Sequence, residues 1–343
     1  MPPTPGAVPK PPGADPPVRV PLAPDRVLPR MELYRRYSEI AGPFAPVPPD
    51  GPYRVRFRNL LTVERRRGRA LLLTAAALVM ELVFLGWLTS PGHLPAQDGT
   101  WYGWLSLVIV AATLLIELLR LVNVVTLGLA TLRAADPVPV APNSGTRVAF
   151  LTTIVPGKEP VAMARRTLEA ALQVRHEGPF DVWLLDEGNN PDVKAMCAAL
   201  GVHHFSRHGV GRWNQEHGPH KRRTKHGNYN AWLGHAGHHY DFWVSVDTDH
   251  VPLENFAERL LGYFRDPDVA FVVGPQVYGN DTGFVSRAAE SQQYLFHSVL
   301  QRAANSHDAA MLVGTNNAVR IAALQAIGGL QDSITEDAAT SIL

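Results

Sequence analysis

Asp247 and Asp249 stand one residue apart in Val246-Asp247-Thr248-Asp249-His250-Val251-Pro252, directly after the apolar run Phe242-Trp243-Val244-Ser245. That run reads as a buried strand. Paired carboxylates at a strand end suit a hard divalent ion, Mg or Mn. Asp249 is then the first ligand, Asp247 sits beside the ion or a nucleotide ribose, and His250 can add an imidazole. Such an ion neutralises charge on a departing nucleoside diphosphate. Taken alone, the pair equally suits a solvated turn closed by Pro252.

Further candidates flank it on both sides. Asp186, in Leu184-Leu185-Asp186-Glu187-Gly188, is a second strand-end carboxylate, placed near a base or ribose or else organising its own turn. Lys225 follows the basic run His220-Lys221-Arg222-Arg223-Thr224 and can meet a diphosphate as a point charge. Asn228 can cap the next helix, whose N-terminus would also favour an anion. Histidines are abundant, yet within His235-x-x-His238-His239 only His235 and His239 share the i, i+4 spacing of a zinc-binding helix face, and Cys197 is the single cysteine. No P-loop and no nucleophile elbow occurs.

Val246 to Pro252, together with Lys225-His226-Gly227-Asn228-Tyr229-Asn230, Gly274-Pro275-Gln276-Val277-Tyr278, Gly314-Thr315-Asn316-Asn317-Ala318-Val319-Arg320 and Thr335-Glu336-Asp337, resembles the processive family 2 glycosyltransferases of the cellulose synthase type. The likeness covers about residues 60 to 343. It implies a GT-A nucleotide-diphospho-sugar transferase domain, a UDP-sugar donor with UDP-glucose favoured, and Mg or Mn. The product would be a β-linked polysaccharide passed through the membrane. Asp186, Lys225 and Asp247 would face the donor, and Asp249 and His250 the metal. Thr315, Asn316 and Glu336 would lie on the acceptor side. Asp337 would be the general base, taking a proton from the acceptor hydroxyl as it attacks the anomeric carbon and inverts it.

Two departures stand out. The first motif reads Asp-Glu-Gly where the family has Asp-Asp followed by Ser or Gly, and no Gln-x-x-Arg-Trp occurs. The latter is read as truncation six residues after Asp337, so the chain alone is expected to be inactive or nearly so.

The elements that must position these residues follow from the pattern after Arg147. Strands are expected at 148–154, 180–185, 202–205, 242–246 and 269–273, with helices at 160–174, 193–200, 228–236 and 255–264. Strand–helix alternation implies an α/β domain, 146–343, with a mostly parallel sheet. Ligands bind such sheets at the carboxyl ends of strands, where Asp186 and Asp247 stand.

Before it, residues 1–52 hold 16 of the 29 prolines and read as a disordered cytosolic arm. A basic segment, 53–69, leads to an apolar run at 70–89. A second run opens at Trp101 and reaches a cytosolic extension ending at 132. Their lengths match bilayer spans. Arg65-Arg66-Arg67 before the first, and Arg120 and Arg133 after the second, predict an in–out–in hairpin in the cell membrane with a cytosolic catalytic domain. Glu81 and Glu117 lie inside the runs and are expected to pack against other helices or near an interface.

With 343 residues and a net charge of +1, the chain carries more than one domain and gives no bulk electrostatic case for nucleic acid. The expected partners are a UDP-sugar, a polysaccharide acceptor, the lipid bilayer and accessory subunits. Two alternatives stand beside this reading: a synthase of another β-polysaccharide, or a non-catalytic membrane scaffold that binds a nucleotide sugar.

Overall fold

The computed structural model describes residues 42–47, 52–62, 64–95, 99–279 and 283–343. Most of the proline-rich arm expected at 1–52 therefore lies outside the described residues. In chain order the elements begin with β1 (Phe57–Asn59), α1 (Glu64–Leu88), α2 (Trp101–Arg133) and β2 (Ala135–Pro137). Then come β3 (Val148–Ile154), α3 (Val161–Ala171), β4 (Phe180–Asp186), α4 (Pro191–Leu200), β5 (His203–Phe205), α5 (Lys225–Ala236) and β6 (Phe242–Ser245). The remainder is α6 (Phe256–Leu261), β7 (Phe271–Val273), α7 (Phe284–Leu295), α8 (Gln301–Asn305), β8 (Asn317–Arg320), α9 (Ile321–Ala326) and α10 (Glu336–Ser341).

Two compact units divide the chain. One gathers the chain up to Val55, 138–286 and 311–343; the other gathers 56–137 and 287–310. The first holds a six-stranded sheet in the order β5-β4-β3-β6-β8-β7. β3 pairs in parallel with β4 and β6, and β4 with β5. β8 runs antiparallel to both β6 and β7. The result is a mostly parallel, mixed α/β sheet, as the strand–helix alternation led one to expect.

Alternation along β3 explains the two layers. Val148 and Phe150 point to one face and pack with α3, α4 and α6; Ala149 and Leu151 point to the other and pack with α5 and α9. With both faces covered, the central strands read as continuous apolar runs. The end of the arm joins this unit: Ala45 bridges to Val140, Arg259 donates to the Gly42 carbonyl, and Arg54 pairs with Asp266 and Asp268.

The second unit is built on α1 and α2, both long and apolar enough to cross a membrane. Their close approach is set by Gly128, where an added Cβ would come within 2.3 Å of the Thr74 methyl. Glu81 and Glu117 share one cation. Arg120 donates to Glu81 at 2.6 Å and pairs with Glu117 at 3.0 Å, tying α1 to α2. Arg120 thus pairs within the hairpin, inside a helix that continues to Arg133. Arg133, the last residue of α2, lies 3.2 Å from His307.

Candidate active site

The carboxyl end of β6 carries Asp247, Asp249 and His250, whose candidate ligand atoms all lie within 4.8 Å of one another. Among the described residues this is the one cluster of three or more such side chains. His235, a zinc candidate on sequence spacing, instead packs its ring against Phe205 and Trp213. Two carboxylates and an imidazole are hard or borderline donors, a set that fits Mg or Mn. Asp249 is exposed, and its Oδ1 lies 2.9 Å from His250 Nδ1.

The loop bearing these residues is braced from two sides. From α3, the buried Thr167 hydroxyl lies 2.6 Å from the Thr248 carbonyl and 2.8 Å from that of His250. From the β8 side, Thr315 Oγ1 accepts the Asp247 N–H at 2.9 Å. The second brace exists because β8 is antiparallel. Ser245 pairs with Asn317, so the residues just before β8 arrive beside those just after β6. Thr315, expected on the acceptor side, is buried and supports the Asp-x-Asp loop. Asn316 takes a left-handed conformation (φ 51°), and its carbonyl accepts the Gly274 N–H at 2.7 Å.

Lys225 opens α5, and its ammonium reaches Asp247 Oδ1 and, at 2.6 Å, the Gly314 carbonyl. Burial disfavours its charge, but Tyr229 and Asp247 outweigh that and hold Lys225 above the usual lysine range. The N-cap of α5 is Thr224, whose Oγ1 accepts the Gly227 N–H; Asn228, the expected cap, lies inside the helix and donates to the Leu185 carbonyl. Asp337 Oδ2 accepts the Gly314 N–H at 3.1 Å, and its Oδ1 accepts the Ala338 N–H. Gly314 thus carries Lys225 on its carbonyl and Asp337 on its amide. Both side chains, with Glu336 and Tyr229, line one small open cleft.

Asp186 stands apart from this group. It is fully buried. Oδ1 accepts from Gly188, and Oδ2 accepts from Asn190 and lies 3.0 Å from His204 Nε2. Its carboxylate organises the turn after β4, and no surface remains for a base or ribose. Sequence reading also missed three supporting residues. Thr167 lies mid-helix without a local signal. Glu187 and the fully buried Arg207 form a bidentate pair at 2.8 and 2.9 Å. In the sequence, only the Asp-Glu-Gly departure marked Glu187.

Residues 244–342 match the model of the family described as "Glycosyl transferase family group 2". The chain is 28% identical over 192 residues to a cellulose synthase catalytic subunit (UDP-forming) of Xanthomonas axonopodis pv. citri, covering 54% of this chain and 25% of the relative. It is 26% identical over 297 residues to cellulose synthase 2 of Novacetimonas hansenii, covering 82% of this chain and 17% of the relative. The chain thus spans a quarter or less of these relatives' length. Among solved structures, a mannosyltransferase from Pyrobaculum calidifontis in complex with GDP-Man and Mn2+ aligns with 59% of this chain and 53% of its own, at 16% identity and a TM-score of 0.42.

Proposed function

We propose that this chain, which carries a family 2 glycosyltransferase domain related to those of cellulose synthases, binds a UDP-sugar, with UDP-glucose favoured, and passes the sugar with inversion to a growing β-linked polysaccharide. The observation that carries the proposal is that Asp247, at the carboxyl end of β6, clusters with Asp249 and His250 and meets the Lys225 ammonium, which shares Gly314 with Asp337. The position is where ligands bind open α/β sheets.

Each residue then has a role that its chemistry allows. Asp249 and His250, with Asp247 beside them, would hold Mg or Mn. When bound, that ion supplies positive charge to the leaving diphosphate. Lys225 adds a fixed ammonium at the same edge. Asp337, oriented by two backbone amides, receives the proton of the acceptor hydroxyl while that oxygen forms its bond to the anomeric carbon. The bond from that carbon to the diphosphate oxygen breaks, and the electron pair leaves with the diphosphate. Glu336 shares the cleft with Asp337 on the acceptor side. α1 and α2 would anchor the protein in the cell membrane, with the sheet unit in the cytosol and accessory subunits beside it; their length and apolar composition support this.

The test is UDP-glucose and UDP-N-acetylglucosamine binding to detergent-purified protein, with and without Mn2+. Binding is expected to require Mn2+, to favour UDP-glucose and to vanish in Asp249→Ala. Metal-independent binding, or an Asp249→Ala protein that binds like wild type, would refute the site.

A further inference from the structure

The second acidic residue of the Asp-Glu-Gly motif does not point at the site, and its partner explains why. Arg207 is fully buried, and Glu187 faces it with both oxygens: Nε donates to Oε2 at 2.9 Å and Nη2 to Oε1 at 2.8 Å. The other guanidinium hydrogens go to backbone. Nη1 donates to the carbonyls of Trp213 and Lys221, both at 2.9 Å, and Nη2 to that of Thr224 at 3.1 Å. Glu187 Oε1 also accepts the Arg223 N–H at 3.2 Å, at a left-handed backbone position (φ 57°). A planar fork with five donors can bind this many acceptors at once; a lysine cannot.

The acceptors are not scattered. Lys221 and Thr224 lie in the basic run that ends at Lys225, and Thr224 is the N-cap of α5. Gly227 shows how tightly the parts close. A Cβ there would meet the Lys221 carbonyl oxygen at 2.2 Å, Arg207 Nη1 at 2.6 Å and Thr224 Oγ1 at 2.9 Å. The glycine of Lys-x-Gly-Asn is therefore the residue that lets the guanidinium and its loop lie against the first turn of α5. Moving Arg207 takes its guanidinium off the carbonyls of Trp213, Lys221 and Thr224, the last two at the start of α5, and so loosens where the Lys225 ammonium stands relative to Asp247 and Gly314.

We propose that Glu187 and Arg207 are positioning residues for the donor diphosphate, acting through Lys225 and touching no substrate. The inference rests on the donor-site reading above. It also gives the Asp-Glu-Gly departure a reason, because the longer Glu187 side chain reaches the buried guanidinium.

The experiment measures Mn2+-dependent UDP affinity, with uridine as the phosphate-free control, for the full chain in detergent. Wild type is compared with Arg207→Lys, Lys225→Ala and the double variant. Arg207→Lys is expected to weaken UDP binding on the order of tenfold, the size of one charge-assisted contact, and to leave uridine binding unchanged. In the Lys225→Ala background the same change is expected to add nothing, since both act through one ammonium. Should Arg207→Lys fail to fold, Glu187→Gln, which keeps shape and loses charge, carries the same prediction. Equal losses for UDP and uridine, additive losses in the double variant, or unchanged UDP binding would each overturn the inference. A wild-type chain that binds no UDP would overturn the donor reading itself, and this inference with it.

Discussion

Most residues around the site hold up the few that would do chemistry, and Thr167 is the sharpest case. One hydroxyl from α3 faces two carbonyls of the Asp-x-Asp loop. Thr167→Val keeps the shape and removes the one hydroxyl proton those carbonyls share, at about 1–3 kcal/mol. Mn2+ affinity, read by isothermal titration, is expected to fall on the order of tenfold, as for other outer supports of metal ligands, while Thr167→Ser retains it. An unchanged affinity in the valine variant would show that the loop holds itself. Sequence made Asp247 and Asp249 legible because their chemistry is local: two carboxylates after an apolar run. It left Thr167 and Arg207 illegible because their partners are remote in the chain, 81 residues away for the Thr167 contact to Thr248. Asp186 was legible as a strand end, but its buried turn role depends on His204, which only the β4–β5 pairing brings near.

Among the elements, the apolar strands were readable, the short β5 and β7 included, and β8 was not. β3, β4 and β6 fall where continuous apolar runs placed them. β8 is Asn-Ala-Val-Arg, with two apolar residues in four, and becomes a strand only through its neighbours β6 and β7. α5 begins three residues before the expected 228, because Thr224 caps it and tertiary packing covers its polar first turn. That start buries His226 beside Asp332 and within reach of Glu336 and Lys221. Burial, opposed by Asp332 and Glu336, holds the imidazole below its ordinary 6.5. The sign follows from linkage: as pH falls through 6.5 the unfolded chain takes up the proton first, so stability complete above that value is lost below it. His220, lowered by burial and by Arg207, adds to the same limb. Melting temperature between pH 5 and 8 is expected to fall on the acid side, and less steeply in His226→Gln. An identical slope in the variant would assign the limb to other groups.

On the scale of the whole molecule, the chain leaves its sheet unit twice, since 287–310 joins 56–137 in the other unit. No local pattern announces such a pairing, whereas the two apolar helices were plain from length alone. Their ion pairs were not, because Glu81 and Arg120 are 39 residues apart in sequence. Two carboxylates share one guanidinium here, and both are nearly buried while Arg120 keeps 55% of its side-chain surface open. Groups of this kind inside apolar spans are costly unless paired. Removing the shared cation is therefore much worse than removing the whole set. Arg120→Leu leaves two nearly buried carboxylates without their shared cation and is expected to destabilise the helix pair. The variant should be recovered from membranes in low yield and unfold early in detergent. The triple variant Glu81→Gln, Glu117→Gln, Arg120→Met removes all three charges and is expected to stay near wild type in melting temperature. If the triple variant is as unstable as Arg120→Leu, the triad sets how α1 meets α2 through its particular hydrogen bonds; if Arg120→Leu is as stable as wild type, the carboxylates are satisfied without Arg120 and the helix pair is held by the Gly128–Thr74 contact alone.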